Sequence, residues 1–227
     1  MKKILLALVV LIMTTGCFTG NKAKSQEEIY GEIEKEITEM KYFEYTSQDS
    51  AYLSFYEGQS TNTFSVDKKG NGYNNRNGEQ MYKVDGVTYL RSIGLKQEGA
   101  NAVVIMDVLS EDEKDIGYFD RNTENVRKFL LNNMKTFSKL PNQKITSAGK
   151  NVKIEITDFK GTDYEVLDGI EISYEPGKQI NYTFVRTENF GGEQKKYTIK
   201  DKLIFNQEEI IKLPKLMPQG TKLELKQ

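Results

Sequence analysis

Cys17 is the only cysteine in the chain, and the residues in front of it have the composition of an export signal. Lys2 and Lys3 are followed by ten apolar residues, 4–13, and then by short residues that end with Gly16. A basic segment, an apolar segment of this length and a small residue before the cut are the three parts of a secretory signal peptide. The thiol of Cys17 is therefore the side chain for which the sequence most directly indicates a chemical role.

This segment resembles the signal peptide of bacterial lipoproteins, in which the cysteine thiol receives a diacylglyceryl group and the cysteine becomes the first residue of the mature protein. Gly16 and Thr15 fit the two positions before the cysteine, whereas Thr14 stands where Leu, Val or Ile is usual. The resemblance implies cleavage between Gly16 and Cys17 and lipid chains such as palmitate on Cys17. It also implies an extracytoplasmic protein anchored to the cell membrane, or to the outer membrane of a Gram-negative source. One acyl chain holds a protein only marginally, so the two chains of this anchor matter.

Three other interpretations of the N-terminal segment are open. A membrane-spanning helix needs about 20 apolar residues, whereas the strictly apolar run here ends at Met13. The next charged residue after Lys3 is Lys22, so a short anchor with a polar end is one alternative. Ordinary secretion and a buried structural helix are the others, and lipidation is favoured because it accounts for the single cysteine.

Composition points to one globular domain after the signal. Cleavage before Cys17 removes 16 residues and two lysines, which leaves 211 residues and a net charge of −3. We expect residues 17–25 to be the lipidated N-terminus and tether, and residues 26–227 to form a single domain. The near balance of acidic and basic residues argues against nucleic acid as a partner. The sequence leaves the oligomeric state open.

The residue types needed for most enzymatic chemistry are missing. The chain has no histidine, which removes the commonest general base and the commonest metal ligand. Ser65 and Lys68 have the Ser-x-x-Lys spacing of penicillin-recognising enzymes, but the other two motifs of those enzymes are absent. The four carboxylates within residues 111–115 could form an acid pair, although a solvated helix face is the commoner arrangement. We therefore expect no catalytic activity, no cofactor and no metal site.

Two segments have the periodicity of amphipathic helices. Ile29, Ile33 and Ile37 recur at helical spacing, which predicts a helix over residues 26–41 that begins after Ser25. Asn122 or Thr123 is predicted to cap the start of a second helix, which Pro141 closes. Its buried stripe would consist of Val126, Leu130, Met134 and Phe137.

Most of the remaining chain alternates between apolar and polar residues, as antiparallel strands do. This alternation includes residues 52–56. Asp85-Gly86 and Asp168-Gly169 each predict a hairpin turn between two strands. Ser110 and Glu113 have the spacing of a capping box and predict the start of a short helix. Residues 223–225 are a candidate edge strand.

The order of these elements is helix, strand meander, helix, strand meander. One face of alternating strands is apolar and must be covered, and only two substantial helices are available to cover it. The predicted fold class is α+β: a curved antiparallel β-sheet, or unclosed barrel, with two main helices packed on its concave face.

Three stretches resemble the LolA/LppX-type bacterial lipoproteins. Residues 70–89, with their Asp-Gly-x-x-Tyr turn, resemble the hairpin between the second and third strands of that family. Residues 123–140 stand where the family has the helix that plugs its half-barrel, and residues 197–214 resemble its closing strand and terminal segment. The resemblance implies a half-barrel whose apolar concavity binds or carries a lipid or an acyl chain, without catalytic residues.

The sequence thus yields three functional hypotheses. The leading one is a membrane-anchored, non-catalytic binder or carrier of a lipid or another hydrophobic ligand. The second is an adhesion or assembly module of the cell envelope, and the third is a hydrolase that uses carboxylates alone. In the first, the ligand cavity would be lined by residues of the two helices, although residues with this pattern more often form an ordinary packed core. These residues are Ile33, Ile37, Val126, Leu130, Met134 and Phe137.

Overall fold

The computed structural model describes residues 24–49, 61–76, 78–97, 102–112, 117–157, 159, 167–190, 192–206, 208–218 and 221–224. Cys17, the signal segment and the predicted strand at residues 52–56 lie outside the described residues. The two helices are α1 (Gln26–Glu39) and α2 (Tyr118–Phe137). The strands are β1 (Phe43–Asp49), β2 (Thr61–Val66), β3 (Gly72–Arg76), β4 (Glu79–Val84), β5 (Val87–Gln97), β6 (Ala102–Glu111), β7 (Gln143–Ala148), β8 (Asn151–Ile156), β9 (Leu167–Glu175), β10 (Gln179–Phe190), β11 (Glu193–Phe205) and β12 (Thr221–Glu224).

The strands form one antiparallel sheet that does not close. Their order across the sheet is β12-β6-β5-β4-β3-β2-β1-β11-β10-β9-β8-β7. Pairing of β1 with β11 joins the two meanders that the sequence predicts, and β12 adds to β6. Within the described part of the chain, β7 and β12 each have one neighbour, so both edges of the sheet are open. The unclosed antiparallel sheet with two helices is confirmed.

Helix α1 begins where the sequence predicts. The Ser25 hydroxyl accepts the Glu28 N–H, and the Glu28 carboxylate accepts the Ser25 N–H at 2.6 Å, which is a reciprocal capping box. The hydrogen bond from the Ser25 backbone lowers the pKa of Glu28. Ile29, Ile33 and Ile37 are all buried in the core formed with the strands.

Helix α2 begins at Tyr118, four residues before the earlier of the two predicted starts, which were therefore wrong. Asn122 and Thr123 do not cap the helix, because their side chains bond back to carbonyls one turn earlier. The Asn122 amide donates to the Tyr118 carbonyl at 3.0 Å, and the Thr123 hydroxyl donates to the Phe119 carbonyl at 2.7 Å. The added turn brings the Phe119 ring into the core.

Phe119 fixes the start of α2 against the sheet. Its ring stacks on Phe64 of β2 at a centroid distance of 5.8 Å. It also lies over Gly72 of β3, where an added Cβ would be only 2.2 Å from Phe119 Cδ1. At the other end of the helix, Phe137 contacts Tyr182 of β10 edge-on at 6.2 Å. Helix α2 therefore crosses one face of the sheet from β3 to β10.

The Gly72→Ala variant should test this contact. We expect a loss of about 1–3 kcal/mol in the free energy of unfolding, because the new methyl group overlaps the buried Phe119 ring. Denaturant titration followed by circular dichroism measures the change. In a Phe119→Leu background the penalty should be smaller, and an equal penalty in both backgrounds would show that the ring is not its cause.

The turns and strand ends were predicted with mixed success. Asp85 and Gly86 do form the β4–β5 turn, with φ angles of 50° and 84°. The hairpin predicted at Asp168-Gly169 is wrong, since both residues lie within β9, where Gly169 pairs with Val185. The Thr187 hydroxyl of β10 donates to the Asp168 carboxylate at 2.6 Å, so this side chain supports strand pairing and not a turn.

The short helix predicted to start at Ser110 is also wrong, because Ser110 and Glu111 continue strand β6. Ser110 pairs with Leu90 and Glu111 with Tyr89, so the backbone of this segment bonds to β5. Cross-strand pairing over the whole length of β5 outweighs the local capping pattern.

The C-terminal strap, residues 208–218, has no regular secondary structure and crosses the face of the sheet opposite the helices. Two buried carboxylates hold it there. Asp67 accepts the Ile211 N–H at 2.8 Å, and Asp107 accepts the Met217 N–H at 2.9 Å. Beyond the strap the chain returns to the sheet edge as β12. Among the described residues, no helix is long and apolar enough to span a membrane.

Acid should weaken the attachment of the strap to Asp107. The Arg91 guanidinium makes two hydrogen bonds to Asp107, and these lower the pKa of Asp107 to about 2, with a further contribution from the Met217 N–H. A carboxylate whose pKa is lowered in the folded state stabilises the protein above its unfolded pKa of about 4, and this stabilisation is lost as the pH falls towards about 2.

The Asp107→Asn variant should therefore be less stable than the wild type at neutral pH, and the difference should shrink towards pH about 2. Urea unfolding at a series of pH values measures this. Glu193→Gln is the matched control, because Glu193 is exposed at the start of β11. If the free energies of unfolding of Asp107→Asn and wild type differed by the same amount at all pH values, the lowered pKa assigned to Asp107 would be contradicted.

Candidate functional site

The face of the sheet that carries the helices extends beyond them, as the strand register shows. Phe64, under α2, pairs with Asn74, and the Asn74 amide donates to the Tyr118 hydroxyl of α2 at 2.8 Å. Asn74 pairs with Met81 of β4, which in turn pairs with Leu90 of β5. Residues that pair directly point to the same face. The helix side of the sheet therefore continues through Met81 and Leu90.

On β6 this face carries exposed apolar side chains. Ser110 pairs with Leu90, so alternate residues from Ser110 along β6 share the helix side. Two of these, Val108 and Met106, expose 41% and 49% of their surface, and Val104 follows them half-buried. Among the described residues, no element therefore covers this part of the core side of the sheet.

Helix α2 contributes a further exposed aromatic ring. Phe129 is 47% exposed, and its ring contacts Tyr45 of β1 edge-on at 6.3 Å. Arg127, two residues earlier, donates to the Met40 carbonyl at the end of α1, so that side of α2 faces α1. Two residues correspond to about 200° around a helix, which places Phe129 on the side of α2 away from α1.

These residues define the helix-side apolar surface. It consists of an arc of the sheet from β4 to β6 together with the ring on α2. Its members are Met81, Leu90, Val104, Met106, Val108 and Phe129.

The six cavity residues predicted from the sequence lie elsewhere. Five of them, Ile33, Ile37, Leu130, Met134 and Phe137, are at most 1% exposed, and Val126 packs half-buried against them. The structure thus brings all six together in one core cluster. Their role as a cavity lining stays a prediction, and their burial favours the alternative of an ordinary packed core.

The exposed residues of β6 were missed by the sequence interpretation, although a signal for them exists. Residues 103–106 are four apolar residues in a row, Val-Val-Ile-Met. A run that is apolar on both faces of a strand needs cover on both sides. On the helix side, that cover does not reach Met106 or Val108.

A polar cluster lies between α2 and the sheet and has no features of a catalytic group. It contains Tyr45, Tyr182 and Asp201, which lie close enough to affect one another's pKa values. Burial raises the pKa of both tyrosines, and the charge of Asp201 raises them further. The phenols therefore remain protonated hydrogen-bond donors. Among the residues that the structure describes, no three acidic or cysteine side chains are grouped as a metal site.

Ser65 and Lys68, the remaining motif candidates, are separated by the sheet geometry. Ser65 is buried on the strap side of β2, whereas Lys68 lies exposed in the turn after β2. Neither the fold nor the burial supports a nucleophile and base at this position.

Two comparisons with known proteins gave no match. No protein-family model matches the chain, and no curated protein is significantly similar to it in sequence.

Proposed function

We propose that this protein is a membrane-anchored, extracytoplasmic lipoprotein with a LolA/LppX-like half-barrel domain that binds or carries a lipid or another hydrophobic ligand without catalysis. The observation that carries the proposal is the exposure of Met106 and Val108 on the core side of the sheet. Exposed apolar surface that continues from a core is typical of ligand grooves and interaction sites. An acyl chain on this surface would be removed from water.

The shape of the sheet supports a groove at this surface. Open, twisted sheets of more than about ten strands curl, split or flatten, and this one has twelve described strands. In the half-barrel that we propose, the helices lie on the concave side and the sheet curls so that β6 approaches α2. Met106 and Val108 would then face Phe129 across the groove, and an acyl chain could lie between them.

The absence of suitable catalytic groups supports a binder over an enzyme. The sequence has no histidine, and the buried tyrosines of the polar cluster have raised pKa values. A phenol with a raised pKa is a poor general base and a poor nucleophile at neutral pH.

The N-terminal sequence supports the proposed location at the membrane surface. Cys17 would carry the lipid, and residues 18–25 would link it to α1, whose capping box starts at Ser25. An extended tether of eight residues spans at most about 28 Å. The domain would therefore stay close to the membrane, where a hydrophobic ligand is available.

Native mass spectrometry of the full-length protein, released from detergent, tests the proposal together with organic extraction and lipid analysis. We expect a bound lipid or fatty acid in addition to the covalent anchor, and saturable binding of the fluorescent fatty acid cis-parinaric acid. Absence of any extracted lipid together with absence of parinarate binding would contradict the proposed function.

The second candidate function, an adhesion or assembly module, is favoured by exposed apolar side chains on the opposite face. Ile93 of β5 pairs with Asp107 on the strap side, and Leu213 and Leu216 of the strap are also exposed. If these residues form the functional surface, Leu213→Ser with Leu216→Ser should abolish a protein–protein contact and leave parinarate binding unchanged.

A further inference from the structure

A second cleft lies on the strap side of the sheet, away from the helix-side apolar surface. Its floor is one row of cross-strand neighbours, in which Glu44 pairs with Ser65, Ser65 with Tyr73, and Tyr73 with Tyr82. Residues 209–212 of the strap complete its walls. The cleft has a volume of about 550 Å³, which is within the usual range for small-ligand sites.

The strap wall of the cleft is held in place by a buried network. One carboxylate oxygen of Asp67 accepts the N–H groups of Lys69 and Asn71, and the other accepts the Asn71 amide and the Ile211 N–H. The same Asn71 amide approaches the Ile211 carbonyl at 3.4 Å. Ile211 is thus bound through both of its backbone groups, and the cleft exists without a ligand to organise it.

The floor is equally constrained. The rings of Tyr73 and Tyr82 are 5.0 Å apart and tilted by 41°. The Tyr82 hydroxyl donates to Gln80, which also accepts a hydrogen bond from Arg91, and Arg91 is paired with the buried Asp107. These contacts fix the rings as a rigid aromatic floor. Rigid aromatic contacts lose little conformational entropy on binding.

The chemistry of the lining selects among ligands. Tyrosine rings flanked by the carboxylates of Glu44 and Glu209 suit a ligand with an apolar face and hydroxyl groups at its edge. Glu44 makes no ion pair with another described residue, so its oxygens can accept hydrogen bonds from such hydroxyls. An organic cation is disfavoured, because Lys212 of the cleft wall and the Arg91 guanidinium close to Tyr82 offset the charges of the two carboxylates.

We propose that this cleft binds a sugar ring, stacked on the half-buried Tyr73, which the buried Tyr82 supports from beneath, and hydrogen-bonded to the Glu44 carboxylate. The sugar can be part of a glycan chain or a free saccharide, since the cleft is open to the solvent at its mouth. This site is independent of the proposed hydrophobic-ligand site, which lies on the other face of the sheet.

Isothermal titration calorimetry of the full-length protein in detergent tests the site. The probes are chitotetraose and cellotetraose, with N-acetylglucosamine and glucose as the free sugars and tetramethylammonium as the cation. We expect at least one saccharide to bind with one site per protein. A glycan ligand predicts tighter binding of a tetramer than of its monomer, and a free-sugar ligand predicts equal affinity.

Substitutions of the cleft residues test where the saccharide binds. Tyr73→Ala should weaken saccharide binding about tenfold through loss of the stacking contact, and Tyr73→Phe should retain it. Glu44→Gln leaves the shape of the cleft unchanged and should weaken binding through loss of the charged acceptor. Tyr197→Ala is the matched control, because Tyr197 lies on the helix side, where it contacts Arg186.

Several results would overturn the proposal. They are the absence of saccharide binding at millimolar concentration, binding that neither Tyr73→Ala nor Glu44→Gln weakens, and binding that is lost equally in Tyr197→Ala. Binding of tetramethylammonium without saccharide binding would show a cation site instead. Circular dichroism of each variant confirms that the fold is retained, and Glu44→Gln remains informative if Tyr73→Ala does not fold.

Discussion

Replacing Met106 and Val108 together by glutamate is expected to lower the affinity of the protein for a fatty acid by about tenfold or more. Both side chains are close to half-exposed on the helix side of β6, so the substitutions introduce charge where the acyl chain would lie. Neither residue belongs to the buried core, so the free energy of unfolding should change little. Titration with cis-parinaric acid and displacement by palmitate measure the affinity.

The opposite face provides the matched control for this experiment. Ile93 is on the neighbouring strand β5, is 49% exposed and points to the strap side. Ile93→Glu adds a similar charge at a similar exposure and should leave parinarate binding unchanged. If Ile93→Glu and the double variant lose affinity equally, the helix-side surface is not the site.

Replacing Cys17 by serine is expected to abolish lipidation completely. The hydroxyl of serine does not accept the diacylglyceryl group that the lipoprotein pathway places on a thiol. Metabolic labelling with a clickable fatty acid and fractionation of the host cells measure lipid and location together. We expect label in the membrane fraction for wild type and none for Cys17→Ser.

Thr14→Leu is the complementary variant, because it restores the residue type usual at this position of the signal peptide. Processing of Thr14→Leu should be at least as complete as that of the wild type. Equal labelling of wild type and Cys17→Ser would contradict the assignment of Cys17, and absence of label from both proteins would favour an uncleaved anchor or ordinary secretion.

Local sequence patterns correctly predicted the features that are stabilised by residues close to one another in sequence. The start of α1 follows from the Ser25 capping box, and the β4–β5 turn follows from Asp85-Gly86, because each depends on residues within four positions of one another. The order of helices and meanders follows from the spacing of apolar residues, which changes at Tyr42 from helical spacing to alternation. The pairing of β1 with β11, about 150 residues apart in sequence, has no comparable local signal.

Tertiary contacts overrode the local patterns where the predictions were wrong. Helix α2 extends to Tyr118 because Phe119 gains a buried position between Phe64 and Gly72. Ser110 remains in β6 because β5 offers a continuous pairing partner. In both places a contact with a distant segment outweighs a capping pattern.

The position of the candidate site depends on which strands helix α2 covers, and the periodicity of apolar residues does not reveal this. The sequence identifies apolar residues of helices and strands alike, but the course of α2 across the sheet decides which of them are covered. Leu130 and Met134 lie on the side of α2 that faces the core and are buried, whereas Met106 of β6 is exposed. The strap anchors Asp67 and Asp107 were likewise unpredictable, because their partners lie more than 100 residues away.

Photo-crosslinking with a diazirine-bearing fatty acid, followed by peptide mass spectrometry, tests the central claim most directly. The account predicts crosslinks that palmitate suppresses, on the peptides containing Met106 and Val108 and on the peptide containing Phe129. Suppressible crosslinks confined to Ile93, Leu213 or Leu216, or the absence of any suppressible crosslink, would contradict it.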